Sequence, residues 1–489
     1  MKRRLSRYFT FVLCCLQMIS FAQSNAMPNI LFIAVDDLRA EVISPDNEVI
    51  QIPNIRKLAE ESVLFNNHFV QVPTCGASRY SMLTGMLPKK KKHLKNYIIE
   101  KDIADGNEKR EKPETFIEHL KRNNYYTVGI GKISHSADGF VYGYEDEVTD
   151  KRELPNSWDE VLFDSGKWET GWNAFFAYAD GSNRQSRKKQ VKPYEEGDVS
   201  DYGYPDGLTI DLAISKLKEL KGSKQPFFMG VGLFKPHLPF NAPKKYWDLY
   251  ERNEIPLAKN VEQPKNSSRG GANNSGEFNQ YLLGEEKANA KNPVSNDYAK
   301  KLKHAYYASV SYIDAQIGKI LEELEALELD ENTVVIVWGD HGWNLGEQSI
   351  WGKHNLFESA LKSALIIKVP GAKNMGVNYD GLVSSVDLYP TICKVAGLEI
   401  PYELDGKSLT PIFTKKVKKH HDKVYSFFGN GASVRTERFR LTHYKIKGED
   451  FYDLYDLKKD PNEIENVADV HPKVVEKLSK DLNIKRIQN

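Results

Sequence analysis

The sequence predicts an α/β protein with a large, mostly parallel sheet sandwiched by helices, followed by a smaller C-terminal antiparallel sheet and helix. Three observations carry that expectation. Continuous apolar runs recur in PNILFIAV, PFFMGVGLF and TVVIVWG, and runs without polar alternation belong to strands buried on both faces. Amphipathic helical stretches separate them, as crossover connections require. After the basic run KKVKKH the pattern changes to short alternating segments with turn residues, in YSFFG, ASVRTERFRLTHYK and FYDLYDLKKDP.

The chain has 489 residues, ample for a large domain plus a smaller one. MKRRLSR followed by YFTFVLCCLQMISFAQ has the basic and apolar regions of a secretory signal, which predicts export to the periplasm or beyond. The expected division is a signal at 1–24, a large domain at 25–410 and a smaller unit at 411–489. Cleavage would remove Cys14 and Cys15 and leave Cys75 and Cys393, too few for a disulfide framework. Cys393 lies between apolar neighbours and reads as core. No later stretch is apolar enough to span a membrane. A net charge of +1, with 28% charged residues, gives no global field for nucleic acid. The basic clusters at 89–95, 184–192 and 415–420 read as solvated surface, the first being best placed to guide an anionic substrate.

In order, PNILFIAVDDLR reads as a strand presenting Asp36 and Asp37 at its carboxyl end. There they can hold a hard cation or cap the following turn. Pro53 opens a helix, and an extended piece delivers the chain to VPTCGASRYSMLTG, with Cys75 at the start of a helix ending at Gly85. Locally, Cys75 reads either as a thiol made acidic by Arg79 and the helix N-terminus or as a buried core cysteine. YTVGIGKISH is a strand that leaves Lys132 and His135 at the same sheet edge; GIGKIS lacks the glycine frame of a phosphate loop. The irregular section 136–207 carries Trp158, Trp168, Trp172, Phe175, Phe176 and Tyr178, suited to a sugar-binding cleft or to a satellite core. KPHLPF fixes His237 between prolines, as a positioned acid or base requires. The polar section 253–292 reads as an insertion or cover outside the core. A long helix follows, then a strand ending in Asp340 and His341, and WGKH with Lys353 and His354.

Acids, a cysteine and histidine–lysine pairs therefore gather at strand carboxyl ends, where α/β sheets form active sites. VDDLR, TCGASR, GKISH, FKPH, WGDHGWNLGE with WGKH, and the FYDLYDLKKDPNEIENVA tail together resemble the type I sulfatases of the alkaline-phosphatase-like superfamily. Within these they look most like the iduronate-2-sulfatase-like branch and relatives acting on marine algal polysaccharides such as ulvan. The resemblance implies hydrolysis of sulfate esters on a sulfated polysaccharide or its oligosaccharides. Cys75 would be oxidised to formylglycine by a formylglycine-generating enzyme. Asp36, Asp37, Asp340, His341 and the modified Cys75 would hold one Ca²⁺. Arg79 would hold the aldehyde hydrate with His135 assisting, Lys132 and Lys353 would grip the sulfate, and His237 would protonate the leaving sugar oxygen. The resemblance gives His354 no role, and it stands as a candidate support behind these residues. Two positions depart from the wider family: His341 stands where many members have asparagine, and Ala77 stands where Cys-X-Pro-X-Arg has proline. The alternatives are a phosphomonoesterase or phosphodiesterase of the same superfamily and an inactive sugar-binding protein.

Overall fold

The computed structural model describes residues 27–105, 113–484 and 487, so the stretch read as a signal lies outside the described residues. The first half contains β1 (Asn29–Val35), α1 (Pro53–Glu60), β2 (Val63–Phe65), β3 (His68–Phe69), α2 (Cys75–Thr84), α3 (Phe116–Arg122), β4 (Tyr126–Gly131) and β5 (Glu160–Leu162). It continues through α4 (Pro205–Leu220), β6 (Phe227–Leu233), α5 (Asn296–Ala326), β7 (Thr333–Gly339), β8 (Leu365–Lys368), β9 (Val377–Tyr379) and α6 (Leu388–Val395).

Eight of these strands form one sheet in the order β9-β2-β8-β7-β1-β6-β4-β5. The β7-β1-β6-β4-β5 block is parallel throughout. β8 runs antiparallel to both β7 and β2, which makes the sheet mixed on one side. Strand direction leaves no compositional trace when both faces are buried, so an apolar run alone does not reveal that reversal. β1 is central, and successive side chains serve opposite faces. Leu31, Ile33 and Val35 pack on the side of α4 and α5, while Ile30, Phe32 and Ala34 pack on the side of α3 and α6. Each of these side chains larger than Ala34 contributes roughly 1.5–3 kcal/mol on leaving water.

β3 pairs with Val383–Ser384 outside the main sheet and carries the chain toward Cys75. Its His68 is fully buried, with Nδ1 3.2 Å from the Ser363 carbonyl and Nε2 2.8 Å from Ser385 Oγ. Burial pushes His68 down to about 4, against the opposing Ser363 hydrogen bond and Asp387. A depressed histidine favours the fold above its unfolded value of 6.5, and that contribution is lost as pH falls toward 4. Its full size is about 3 kcal/mol. Denaturant melts between pH 7 and 4 are expected to show a steeper loss of stability for the wild type than for His68→Gln. Equal slopes would contradict the assignment.

The smaller unit is an antiparallel meander of β10 (Lys423–Phe428), β11 (Gly431–Thr436), β12 (Phe439–Ile446) and β13 (Glu449–Asp456), crossed by α7 (Pro472–Ile484). Leu478 and Leu482 of α7 pack on Val434, Leu441 and Leu454. Phe69, Val70 and Leu361 meet Val424 and Tyr444 where this sheet docks. Among the described residues no helix is long and apolar enough to cross a membrane.

Candidate active site

The ends of β1 and β7 set the site. The Asp36 amide donates to the Leu233 carbonyl at 3.2 Å, and the Asp340 amide donates to the Val35 carbonyl at 3.2 Å. These bonds extend the parallel ladder by one residue and hold the two acids side by side. The chain then turns at Asp37, whose φ is +60°, and the Asp37 amide donates to Asp340 Oδ1 at 3.0 Å. Tyr306 of α5 donates to the Asp37 carbonyl at 2.7 Å, pinning the turn from below.

α2 enters this junction with Cys75 as its first residue, and all ten of its residues are buried. Gly76 is required by a close approach: a Cβ there would lie 2.1 Å from the Asn96 carbonyl oxygen. Gly85 closes the helix in the left-handed region at φ +66°. Ser78 Oγ donates to the Asp340 carbonyl, and Arg79 Nε donates to Asp340 Oδ2 at 2.9 Å. A second Arg79 nitrogen donates to the Lys132 carbonyl, so one side chain ties α2 to two strand ends.

Cys75 Sγ lies 3.4 Å from Asp36 Oδ1, 3.3 Å from His341 Nε2 and 3.3 Å from Lys353 Nζ. Burial, reinforced by Asp36, pushes the thiol up to about 12 despite Lys132 and Lys353. Of the two local readings of Cys75, the acidic thiol does not hold in this environment, because desolvation outweighs the helix N-terminus and the nearby cations. Asp36, Cys75, Asp340 and His341 each offer a ligand atom within 4.8 Å of the others. Asp37 sits beside this set, with Oδ1 3.1 Å from His341 Nδ1 and 3.1 Å from Lys353 Nζ.

These residues fit a hard dication. His341 Nδ1 lies 3.0 Å from the Gly342 carbonyl, an acceptor, so Nδ1 carries the hydrogen and Nε2 keeps a lone pair on the Cys75 side. Burial drives Asp37 well above the usual carboxylate range despite Lys353 and His341, aided by its neighbour Asp36. Burial opposes ionisation of Asp36 too, yet Lys132, His237 and Arg79 hold it well below that range. With Asp36, Asp37, Asp340 and Glu277 all ionised, as a bound dication would hold Asp37, the four face Arg79, Lys132 and Lys353 with one negative charge in excess. A dication together with a sulfate monoester would cancel it. Arg79 Nη2 and His135 Nδ1 are buried without hydrogen-bond partners.

Lys132 Nζ pairs with Asp36 Oδ2 and lies 4.5 Å over the Phe175 ring. Burial disfavours both lysine charges, but Asp36 and Cys75 raise Lys132, and Asp37, Cys75 and Glu277 raise Lys353. His237 directs Nδ1 to the Leu238 carbonyl at 2.6 Å, leaving Nε2 toward the site, 4.0 Å from Asp37 Oδ2. His354 stacks on Phe428 of the smaller sheet, with ring centroids 5.5 Å apart.

One acid was missed in the sequence. Glu277 places Oε1 2.8 Å from His237 Nε2 and Oε2 3.5 Å from Lys353 Nζ. Burial alone would raise its carboxyl, but Lys353 and His237 hold it well below the usual range. Burial and Lys353 push His237 down to about 4 against the pull of Glu277. The Nε2–Oε1 contact is where a proton is held when the ring is charged. The section around Glu277 is consequently no outlying cover: Ile255, Phe278, Tyr281 and Ala288 are buried in the main core. Nothing in its polar, aperiodic sequence marks those anchors.

Of the two readings of the aromatic section, the structure shows the satellite core. Trp168, Trp172, Phe175 and Phe176 form a satellite core, and Trp158 belongs to the sheet core. Phe175 also lies 4.5 Å from the His237 ring, and Trp172 lies 5.5 Å from His135. A separate cavity of about 420 Å³, bounded by Tyr178, Tyr194, Trp247 and Arg252, is lined by none of the catalytic candidates.

The sulfatase family profile matches residues 28–398. The chain belongs to the sulfatase family. The C-terminal profile of N-sulphoglucosamine sulphohydrolase matches residues 346–488. This sulfatase is 31% identical to mouse iduronate 2-sulfatase over 424 residues, covering 79% of the chain and 72% of that relative. It is 30% identical to a sulfatase of Formosa agariphila over 468 residues, covering 90% and 83% respectively. A solved structure in complex with its substrate D-glucosamine-2-N,6-O-disulfate has a TM-score of 0.71 at 20% identity, covering 94% of this chain and 97% of that one. The phosphonate monoester hydrolase of Silicibacter pomeroyi has a TM-score of 0.72 at 22% identity, covering 94% and 95%. At these identities the structures share the fold alone. The sulfatase hydrolyses sulfate esters, using a catalytic residue derived from a cysteine and a metal-binding cluster.

Proposed function

We propose that this sulfatase is exported and removes sulfate from a sulfated polysaccharide or its oligosaccharides, algal glycans such as ulvan being the favoured class. The observation that carries this reading is the placement of Lys132 and Lys353 on either side of Asp36, Asp37 and Cys75, with His237 beyond them against an aromatic wall. The matched relatives include iduronate 2-sulfatase, named for a sulfated uronic acid, which supports an acidic sugar substrate.

Asp36, Asp37, Asp340, His341 and residue 75 would hold one Ca²⁺, which when bound polarises the sulfate and favours an oxygen anion at the nucleophile. Conversion of Cys75 by a formylglycine-generating enzyme would supply paired hydroxyls, one for attack and one for release of sulfate. Arg79 Nη2 and His135 Nδ1, both unpartnered, would hold those oxygens in place. Lys132 and Lys353 balance charge on the sulfate oxygens not in line with attack. In its charged form, stabilised by Glu277 Oε1, His237 would deliver the Nε2 proton to the sugar oxygen, sparing the expulsion of a bare alkoxide. His354 backs this group from the seam with the smaller unit, whose boundary we place at residues 410–411.

The test is sulfate release from a panel of defined sulfated oligosaccharides, ulvan fragments included, with products identified by NMR. Release from acidic algal fragments is expected, with 4-nitrophenyl phosphate turned over far more slowly than the matching sulfate. Silence across the panel from protein whose residue 75 is shown by peptide mass to be converted would overturn the reading. Dialysis against a chelator is expected to slow turnover about 100-fold or more, with recovery on adding Ca²⁺. Full activity in protein shown to be metal-free would remove the cation from the mechanism.

A further inference from the structure

Arg184 opens the basic run RQSRKKQVK, which the sequence presents as solvated surface. The structure separates that residue from the rest of the run. Arg187 is exposed and paired with Asp180 at 2.7 Å, whereas Arg184 is only 4% exposed. Its guanidinium carbon lies 3.7 Å over the Phe176 ring and 5.5 Å from the Tyr281 ring. Arg184 Nε and the Tyr281 hydroxyl lie beside each other, both buried and neither with any other hydrogen-bond partner. Among the described residues no carboxylate forms an ion pair with Arg184. Glu277, which acts on Tyr281 together with Arg184, is itself engaged by His237 and Lys353.

A buried guanidinium without an anion is costly, and its planar donors match a carboxylate or sulfate. Its location says which anion it awaits. Phe176, on which Arg184 stacks, lies 4.7 Å from Phe175 and 6.3 Å from His237. Phe175 in turn lies under Lys132. The 44% exposed Tyr144 ring packs edge-on to Trp172 and Phe176 at 4.7 and 5.4 Å. Its hydroxyl lies within the electrostatic reach of Glu277, Arg184, Lys132 and Cys75 together. Arg184 therefore borders the same space as the sulfate-side lysines, set off from His237 by an aromatic side chain. That offset suits substituents on one sugar ring or on two adjoining rings.

We propose that Arg184 binds a second anionic group of the substrate, a carboxylate or a further sulfate, on the sugar that carries the scissile sulfate or on its neighbour. This rests on the oligosaccharide reading above. It makes Arg184 a specificity residue that selects polyanionic over singly sulfated neutral glycans.

The experiment compares wild type, Arg184→Met and Arg184→Lys on four oligosaccharide substrates. These are a sulfated uronate, its carboxyl-reduced counterpart, a neutral disulfate and a neutral monosulfate. For Arg184→Met the kcat/KM on dianionic substrates is expected to fall roughly 10- to 150-fold relative to that on monoanionic ones, mostly through KM. Arg184→Lys is expected to recover part of that ratio. Loss confined to the uronate identifies a carboxylate, and loss confined to the disulfate identifies a second sulfate. Equal loss on all four substrates, with thermal melts showing an intact fold, would overturn the proposal and leave Arg184 a packing residue. Calorimetric binding of the same uronate provides a readout independent of turnover. If the wild type releases no sulfate, the oligosaccharide reading fails, while unchanged binding by Arg184→Met would overturn the arginine proposal separately.

Discussion

Cys75→Ala is expected to lower sulfate release by about 10⁴–10⁶-fold while the protein stays folded. The reason is positional as well as chemical. Cys75 lies between Asp36, His341 and Lys353, so the group at this position meets the metal cluster and the sulfate-side cation together. Ser78, a neighbouring hydroxyl on α2, is committed to the Asp340 carbonyl and cannot substitute for it. Alanine suits the first turn of a helix and removes one sulfur from a buried position, so the change in stability should stay within about 1–2 kcal/mol. Thermal melting checks the fold, and ion chromatography of released sulfate checks the chemistry. Activity within tenfold of the wild type would remove residue 75 from the nucleophile's place.

His237→Ala is expected to divide substrates by leaving group. A sugar alkoxide is a poor leaving group, so loss of its proton donor should cost about 10²–10⁴-fold on a sulfated oligosaccharide. A 4-nitrophenolate leaves readily without a proton, so hydrolysis of 4-nitrophenyl sulfate should fall by about tenfold or less. The geometry behind this is one-sided: the Leu238 carbonyl occupies Nδ1, and only Nε2 faces the site, against Glu277. Proportional losses on both substrates would assign His237 to holding sulfate or organising Asp37 instead of transferring a proton. Measuring kcat/KM for the two sulfates side by side decides between these roles.

Much of this was legible because buried parallel strands write themselves as uninterrupted apolar runs. β1 and β7 each end abruptly in charged residues, Asp36–Asp37 and Asp340–His341, and the parallel topology brings those ends together. The cysteine helix was legible from its small residues and its terminal glycine. Glu277 and Arg184 were not. Each lies in a polar stretch where composition points to solvent, and each is drawn inward by isolated aromatic anchors close by in the chain, Phe278 and Tyr281 for the first and Phe176 for the second. The direction of β8 was equally hidden, since a strand buried on both faces reads the same either way. The acidity of Cys75 was read from its sequence neighbours, whereas its depth in the fold reverses the effect.

The burial of α2 also has a consequence for the order of events in the life of the chain. Cys75 is 4% exposed, Ala77 is fully enclosed by Val72, Leu94 and Phe427, and the Asn96 backbone covers Gly76. No second protein can grasp this segment in the finished fold without pulling α2 away from the central sheet. An enzyme that rewrites Cys75 must meet it as an extended, unfolded stretch, before β1 and β7 close around it. On the proposed conversion of Cys75, maturation and folding would compete for the same segment. A chain that folds first is sealed with its thiol intact, and only unfolding would return it to the maturing enzyme.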